Sequence, residues 1–433
     1  MKPICVALGA LLALVAVASA PVPQRPPNIA LILVDTLRRD HLPFYGYAKD
    51  TAPFLTALAS NGVVFERAHS VSGWTPPAAA SLFTSLYPFE HGVVRGLALA
   101  RRQERLKGVE IRLPRLPAAA ETIPEALRRR GYATFAITEN PNLTRELGFD
   151  QGFDRFDAFP TRLDAEPITE RLLERAPELR RREPYFLYLH YMDVHAPYRE
   201  RAPLFDPSLE GNARKVSAYD SGIRTVDEHI RRAFEALGWD EDTLLLVTAD
   251  HGEELGERGR FGHGASLYAE LLDIPLLVHG PGATPGRVSD RVSLVDILPT
   301  LREIAGLPPA STDAGVSLVP LLRDRRGHLA PRPLFAHLWR RQAKDGREQA
   351  LRVTLQGDWK RIGGDATGTL LFDLGADPRE TRNLAHEQPE HEGSLQRLYQ
   401  QREARGRRYA GESVAVGLDA EAIEGLNALG YVN

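Results

Sequence analysis

Two apolar runs, more than two hundred residues apart, each deliver a carboxylate at the C-terminal end. That coincidence constrains the fold more than any other feature of the chain. The first, Asn28-Ile-Ala-Leu-Ile-Leu-Val34, leads into Asp35; the second, Thr243-Leu-Leu-Leu-Val247, leads through Thr248-Ala249 into Asp250-His251-Gly252. Uninterrupted apolar runs of this length suit strands buried on both faces, as in a parallel sheet. In open α/β sheets the crevice beyond the C-terminal strand ends is where ligands bind. Asp250 read alone is equally a helix N-cap, with Glu253 and Glu254 filling the first turn. Asp35 adds the second half of the argument. Two carboxylates buried side by side would cost on the order of several kcal/mol each without a counter-charge, and a divalent cation shared between neighbouring strands supplies one.

Between and beyond these runs, strand and helix patterns alternate. Helical periodicity is read over Ala52–Asn61, Thr75–Ser85, Ile123–Arg130, Ile168–Arg182, Val216–Leu237 and Val295–Ala305. Short apolar runs mark strands at Val63–Phe65, Ala133–Ile137, Tyr185–Leu189 and Pro275–Val278. This predicts an α/β fold, with a large mainly parallel sheet flanked by helices, over residues 27–308. Near Pro308 the character changes: Ala350–Leu355, Trp359–Ile362 and Thr369–Phe372 look like short antiparallel strands, followed by a polar helix over about 387–405. Residues 309–433 are therefore expected to form a smaller C-terminal α+β subdomain with a short antiparallel sheet. The arginine-dense stretch 321–346 within it is read as a solvated surface loop.

Composition is ordinary for a globular chain, with 43% hydrophobic and 26% charged residues. A net charge of −3 from 54 basic and 57 acidic residues gives no global basic field and no reason to expect nucleic acid as a partner. Residues 1–20 read as a secretory signal peptide: Lys2, an apolar run from Ile4 to Ala18, then Ala18-Ser19-Ala20 as a cleavage site. Pro21 would follow that cut awkwardly, so Ala16-Val17-Ala18 is the alternative, and an uncleaved anchor is the competing reading. The expected location is periplasmic or secreted, with membrane contact only through that segment. The only cysteine, Cys5, lies inside it, so the mature chain has no thiol, disulfide or cysteine-based metal site.

Several segments in order carry a family resemblance: Asp35-Thr-Leu-Arg-Arg-Asp-His41, Trp74-Thr-Pro-Pro-Ala-Ala-Ala-Ser-Leu-Phe-Thr84 with Tyr87-Pro88 and His91-Gly92, and Leu189-His-Tyr-Met-Asp-Val-His-Ala-Pro197. Thr248-Ala-Asp-His-Gly252, Gly262-His-Gly264, Val295-Asp-Ile-Leu-Pro-Thr300 and Leu371-Phe-Asp-Leu374 continue it. Together they resemble the sulfatase family of the alkaline phosphatase superfamily. The resemblance implies one divalent cation (zinc, manganese or calcium) held by Asp35, Asp250 and His251, and a nucleophile at the start of the helix after Trp74. His195 and His263 fall where the family contacts or protonates the substrate, and with Asp193 they would leave room for a second metal. A helix N-terminus suits a tetrahedral oxyanion through its free N–H groups.

The chain departs from the family pattern where the chemistry is most specific. Sulfatases carry Cys or Ser in a Cys/Ser-x-Pro-x-Arg motif and convert it to formylglycine. Here that position is Thr75, the motif arginine is Ala79, and the second aspartate of the usual Asp-Asp pair is Thr36. Thr138-Glu-Asn-Pro-Asn142 replaces the usual Gly-Lys-Trp-His segment. Threonine cannot become formylglycine, but it can attack directly, as in phosphoryl-transfer relatives of the superfamily. The expected activity is hydrolysis of a sulfate- or phosphate-type ester, on a small-molecule, glycan or lipid substrate. Thr75 is the expected metal-activated nucleophile and a fourth residue at the metal. Two alternatives remain: a phosphoryl-group transferase, and an inactive sulfatase-like binding protein.

Overall fold

In a computed structural model of the chain, the run Asn28–Val34 lies near the middle of a nine-stranded sheet. The structure describes residues 26–96, 112–159, 164–240, 242–341, 348–364, 368–406, 409 and 413–415. The expected signal peptide, 1–20, lies outside the described residues. Asn28–Val34 pairs in parallel with Tyr185–Tyr191 on one side and with Thr243–Thr248 on the other. Ala133–Thr138 and then Arg155–Ala158 extend the parallel set beyond Tyr185–Tyr191. Beyond Thr243–Thr248 comes the antiparallel Leu276–His279, then Val63–His69 with Gly286–Ser293 parallel to it and Asp273–Ile274 antiparallel.

Every residue of the four central strands is buried, which is why their sequences run apolar without alternation. Register fixes what happens at their ends. Leu33 stands beside both His190 and Thr248, and the Asp35 N–H donates to the Tyr191 carbonyl at 2.9 Å. Polar residues that follow or end these strands therefore emerge along one edge of the sheet. Helices flank it: Ala165–Arg181 packs on Gly211–Leu237, and Thr75–Thr84 and Ile123–Arg128 pack on Ile297–Ile304.

The C-terminal part carries a four-stranded antiparallel sheet in chain order: Leu334–Arg341, Glu348–Gln356, Trp359–Gly364 and Leu370–Asp373. One face buries Ala336, Leu338, Val353, Ile362 and Phe372 against Leu267 and Leu272. Phe335 turns the other way, onto Val71, Tyr87 and the helical Tyr399 of Pro389–Gly406. The sheet is thus wedged beside the loop that carries His263. A buried ion pair, Lys360 Nζ to Glu380 Oε1 at 2.5 Å, strengthens the join, and the other Glu380 oxygen accepts the Ala269 N–H at 2.9 Å. The reading of 321–346 as a surface loop is wrong here: Leu334–Arg341 is the first strand of this sheet, and Leu321 and Leu322 of the short helix Val319–Arg323 are buried. Both sides of that strand are covered, so its apolar residues do not alternate with polar ones, and arginines flank it.

Candidate active site

Four adjacent parallel strands end at one place and each supplies a polar side chain. Asp35 follows Asn28–Val34, Asp250 and His251 follow Thr243–Thr248, His190 closes Tyr185–Tyr191, and Asn140 follows Ala133–Thr138. Asp35 Oδ2 accepts from Asn140 Nδ2 at 2.8 Å, lies 3.1 Å from His190 Nε2, and accepts from the Thr75 hydroxyl at 3.4 Å. Thr75 Oγ1 is also 3.3 Å from His251 Nε2. Asp250 Oδ1 accepts the backbone N–H groups of Thr36 and His251, at 3.2 and 2.9 Å. Asp250 does not cap a helix: the chain runs on through a loop into the short strand Glu254–Leu255.

What is left over defines the site. Asp35 Oδ1 and Asp250 Oδ2 are buried without a hydrogen-bond partner. The His251 Nδ1 lies 2.8 Å from the Gly252 carbonyl, which requires the proton on that nitrogen and turns the Nε2 lone pair towards Asp250 Oδ2, 3.3 Å away. One ligand atom each from Asp35, Asp250 and His251 lie within 4.8 Å of one another. Two orphaned carboxylate oxygens and an imidazole lone pair converging in a buried cluster form a mixed oxygen–nitrogen donor set that fits a divalent cation such as zinc or manganese. Among the described residues no other cluster of His, Cys, Asp and Glu has that spacing.

Electrostatics around the cluster are uneven. Burial opposes ionisation of Asp35, but the His190 hydrogen bond and the charges of His195, His190 and His251 outweigh it and hold the carboxyl well below the usual range. Asp250 is pushed up, first by burial and then by the Asp35 charge. Burial pulls the His251 imidazole down, yet Asp250 and Asp35 prevail and raise it. A second layer sits above: the His263 ring lies 4.6 Å from that of His251, 4.9 Å from His195 and 5.4 Å from Trp74. His263 Nδ1 is 3.0 Å from Glu253 Oε1, whose carboxyl burial pushes up to about 7. His263 itself is pushed down to about 3, by burial and then by His251.

The sulfatase family pattern matches residues 27–307. The chain belongs to the sulfatase family. It is an ester hydrolase by that membership. This sulfatase is 26% identical to N-acetylgalactosamine-6-sulfatase of Homo sapiens over 455 aligned positions, covering 86% of this chain and 84% of the relative. In fold it is similar to the phosphonate monoester hydrolase of Agrobacterium radiobacter, with a TM-score of 0.72 at 20% identity over 90% of this chain and 97% of that one. It is equally similar (TM-score 0.72, 19% identity, 88% and 98% covered) to a protein solved with its substrate D-glucosamine-2-N,6-O-disulfate.

Within this sulfatase the structure brings Asp35, Thr75, Asp250 and His251 into one cluster, with His195 and His263 over it. Asp193 is turned elsewhere: its Oδ1 is held by Arg201 Nη2 at 3.0 Å and by the Ala165 N–H at 3.0 Å, so the second-metal grouping with His195 and His263 is not assembled. The helix N-terminus is also poorer than expected. Thr75 opens the helix Thr75–Thr84, but Pro76 and Pro77 follow and have no N–H, so Thr75 alone of the first three residues can donate to an oxyanion. Two contributors were undervalued. Asn140, in the segment that replaces the family's usual Gly-Lys-Trp-His, and His190, inside the Leu189–Pro197 motif, both touch Asp35. The signal was available: each is a polar residue at or just after the end of an apolar strand, the pattern that singled out Asp35.

Proposed function

We propose that this sulfatase is a metal-dependent hydrolase of sulfate- or phosphate-type esters that uses Thr75 as its nucleophile in place of formylglycine. The observation that carries the reading is the position of the Thr75 hydroxyl, 3.4 Å from Asp35 Oδ2 and 3.3 Å from His251 Nε2, among the atoms suited to a cation. A divalent cation held by Asp35, Asp250 and His251 would polarise the ester and make the hydroxyl more acidic. The residues do the rest. Asp35 is fixed by Asn140 and His190 and stays ionised, so it holds the Thr75 hydroxyl in place by accepting its hydrogen bond. His263, oriented by Glu253 and packed between Trp74 and His195, is kept neutral by burial and offers its other ring nitrogen to the substrate side of the cluster.

A threonyl ester has no hemiacetal to collapse, so water must attack its central atom. Phosphorus accepts that second displacement readily and sulfate half-esters much less so. Phosphate and phosphonate esters are therefore the favoured substrates, on a small molecule, glycan or lipid. The protein is proposed to act in the periplasm or outside the cell; no helix among the described residues is long and apolar enough to cross a membrane.

The test is Thr75→Ala in metal-replete protein, with aryl phosphate, phosphonate and sulfate esters. Turnover is expected to fall at least roughly a thousandfold while metal content stays near that of the parent. Peptide mass analysis of quenched parent protein is expected to show a phosphorylated Thr75 when water attack is slow. Sulfate esters outrunning phosphate esters, or full activity in Thr75→Ala, would overturn the reading. No turnover of any ester by parent protein would favour a binding role.

A further inference from the structure

The turn after the first central strand holds a conformation that its residue does not favour. Thr36 has a φ of 58°, in the left-handed region, where a β-branched side chain crowds its own backbone. It is the third residue of the turn Val34–Leu37, closed by the Leu37 N–H on the Val34 carbonyl at 3.4 Å, and a positive φ at that place normally selects glycine. The Thr36 side chain offers no compensation, because its hydroxyl is buried and makes no hydrogen bond among the described residues. Its backbone makes the contacts instead. The Thr36 N–H donates to Asp250 Oδ1 at 3.2 Å, and the Thr36 carbonyl accepts from the Tyr219 hydroxyl at 2.7 Å. Tyr219 stands fully buried on the helix Gly211–Leu237, and its oxygen also accepts the Arg38 N–H at 2.9 Å. One phenol thus closes the turn from both sides. Among the described residues, Asp250 and Tyr219 are the only side chains bonded to the backbone of residues 36–38. A strained residue persists only where its surroundings over-determine it, and here that support comes from a distant helix.

What the turn positions is Asp250. Its Oδ1 is held by the N–H groups of Thr36 and His251, which leaves Oδ2 as the oxygen available to a cation. We propose that Tyr219 is a positioning residue for the metal centre: it keeps Thr36 left-handed and the Thr36 N–H on Asp250 Oδ1, so that Oδ2 stays turned to Asp35 and His251. Tyr219 bonds none of those three ligands itself; its ring packs on His41 and Tyr198, with centroids 5.1 and 5.7 Å away. The inference rests on the proposed cation site and deepens it.

The experiment is titration with zinc and with manganese, in competition with a chromogenic chelator, on a double-mutant cycle of parent, Tyr219→Phe, Thr36→Gly and the double variant. Phenylalanine keeps the ring and removes the clamp, so Tyr219→Phe should bind metal about tenfold more weakly, the scale on which loss of a group that orients a ligand is felt. Glycine keeps the N–H and takes the left-handed conformation without steric cost, so Thr36→Gly should stay within about threefold of the parent, and adding Tyr219→Phe to it should cost less than about threefold more. Unchanged metal affinity in Tyr219→Phe, whatever its Tm, would make the clamp merely structural and overturn the inference. An equal loss in both backgrounds would overturn it too, since Tyr219 would then not act through the conformation of Thr36. If Tyr219→Phe does not fold, the double variant should fold and bind metal, and its failure would count in the same way. A parent that takes up neither metal would overturn the cation site itself, and the clamp with it.

Discussion

Replacing Asp250 by asparagine should stabilise the metal-free protein and destabilise the metal-loaded one. In the metal-free fold, Asp250 Oδ1 is satisfied by two backbone N–H groups, whereas Oδ2 is buried and unpartnered, 3.3 Å from His251 Nε2. An asparagine oxygen can keep the first two bonds, and its amide can donate where the orphaned oxygen stood, towards His251 Nε2 or Asp35 Oδ1. The carboxyl is pushed up by burial and by Asp35, so its ionised form is disfavoured in the fold. For a raised carboxyl, the favourable contribution exists at low pH and is lost as pH rises through the folded value, so the penalty on the metal-free wild type grows with pH. Relieving a buried unsatisfied acceptor is worth about 1–3 kcal/mol. With 433 residues at about 2.1 cal/mol/K each, that is a rise in Tm of roughly 1–3 °C in chelator. Metal at a hundred times its Kd stabilises the wild type by about 2.7 kcal/mol, near 3 °C on the same scale. The variant lacks one ligand and should gain little. Differential scanning fluorimetry and urea titration at pH 8, with chelator and with metal, should therefore show the two proteins exchange order. A variant clearly less stable than wild type in chelator, or an equal metal shift in both, would refute the picture of two carboxylates held together for a cation.

Other consequences can be checked with the same protein. Asn140→Ala removes the closest donor to Asp35 Oδ2, at 2.8 Å, and should weaken metal affinity about 10–100-fold in a chelator competition; a change under threefold would count against Asn140 as a positioning residue. His251 is raised above the ordinary imidazole value of about 6.5, so a proton competes with the cation, and log Kd for metal should rise by about one per unit fall in pH from pH 7 to pH 5.5. A flat profile there would mean that His251 is not a ligand. Lys360→Met leaves Glu380 buried without its cation and should cost about 3–5 kcal/mol in urea unfolding at pH 8, less at pH 5, because burial already pushes Glu380 up towards its neutral form.

The fold was legible because its central strands are buried on both faces. Asn28–Val34, Ala133–Thr138, Tyr185–Tyr191 and Thr243–Thr248 can be read as apolar runs without knowing their partners, and helix–strand alternation then predicts a parallel sheet. Leu334–Arg341 escaped the same reading. Its burial depends on two separate partners, Leu267 and Leu272 on one face and Tyr87 and Tyr399 on the other, and nothing local announces them.

The site divides along the same line. Asp35 and Asp250 could be found because each ends an apolar run, and an ionisable group there needs a reason. His190 and Asn140 are less conspicuous in the sequence because neither needs a counter-charge, although strand register carries all four to the same edge: Leu33 beside His190, and Thr138 beside His190 on the next strand over. What register cannot supply is orientation. Asp193 lies only three residues past His190, yet it turns to Arg201 and the Ala165 N–H, and His263 finds Glu253. Pro76 and Pro77 carry the sharper point. They leave the first three residues of the helix with one usable N–H, so a bound cation and side chains would have to supply most of the anion stabilisation. The motif arginine that could have shared that task is Ala79, buried inside the same helix.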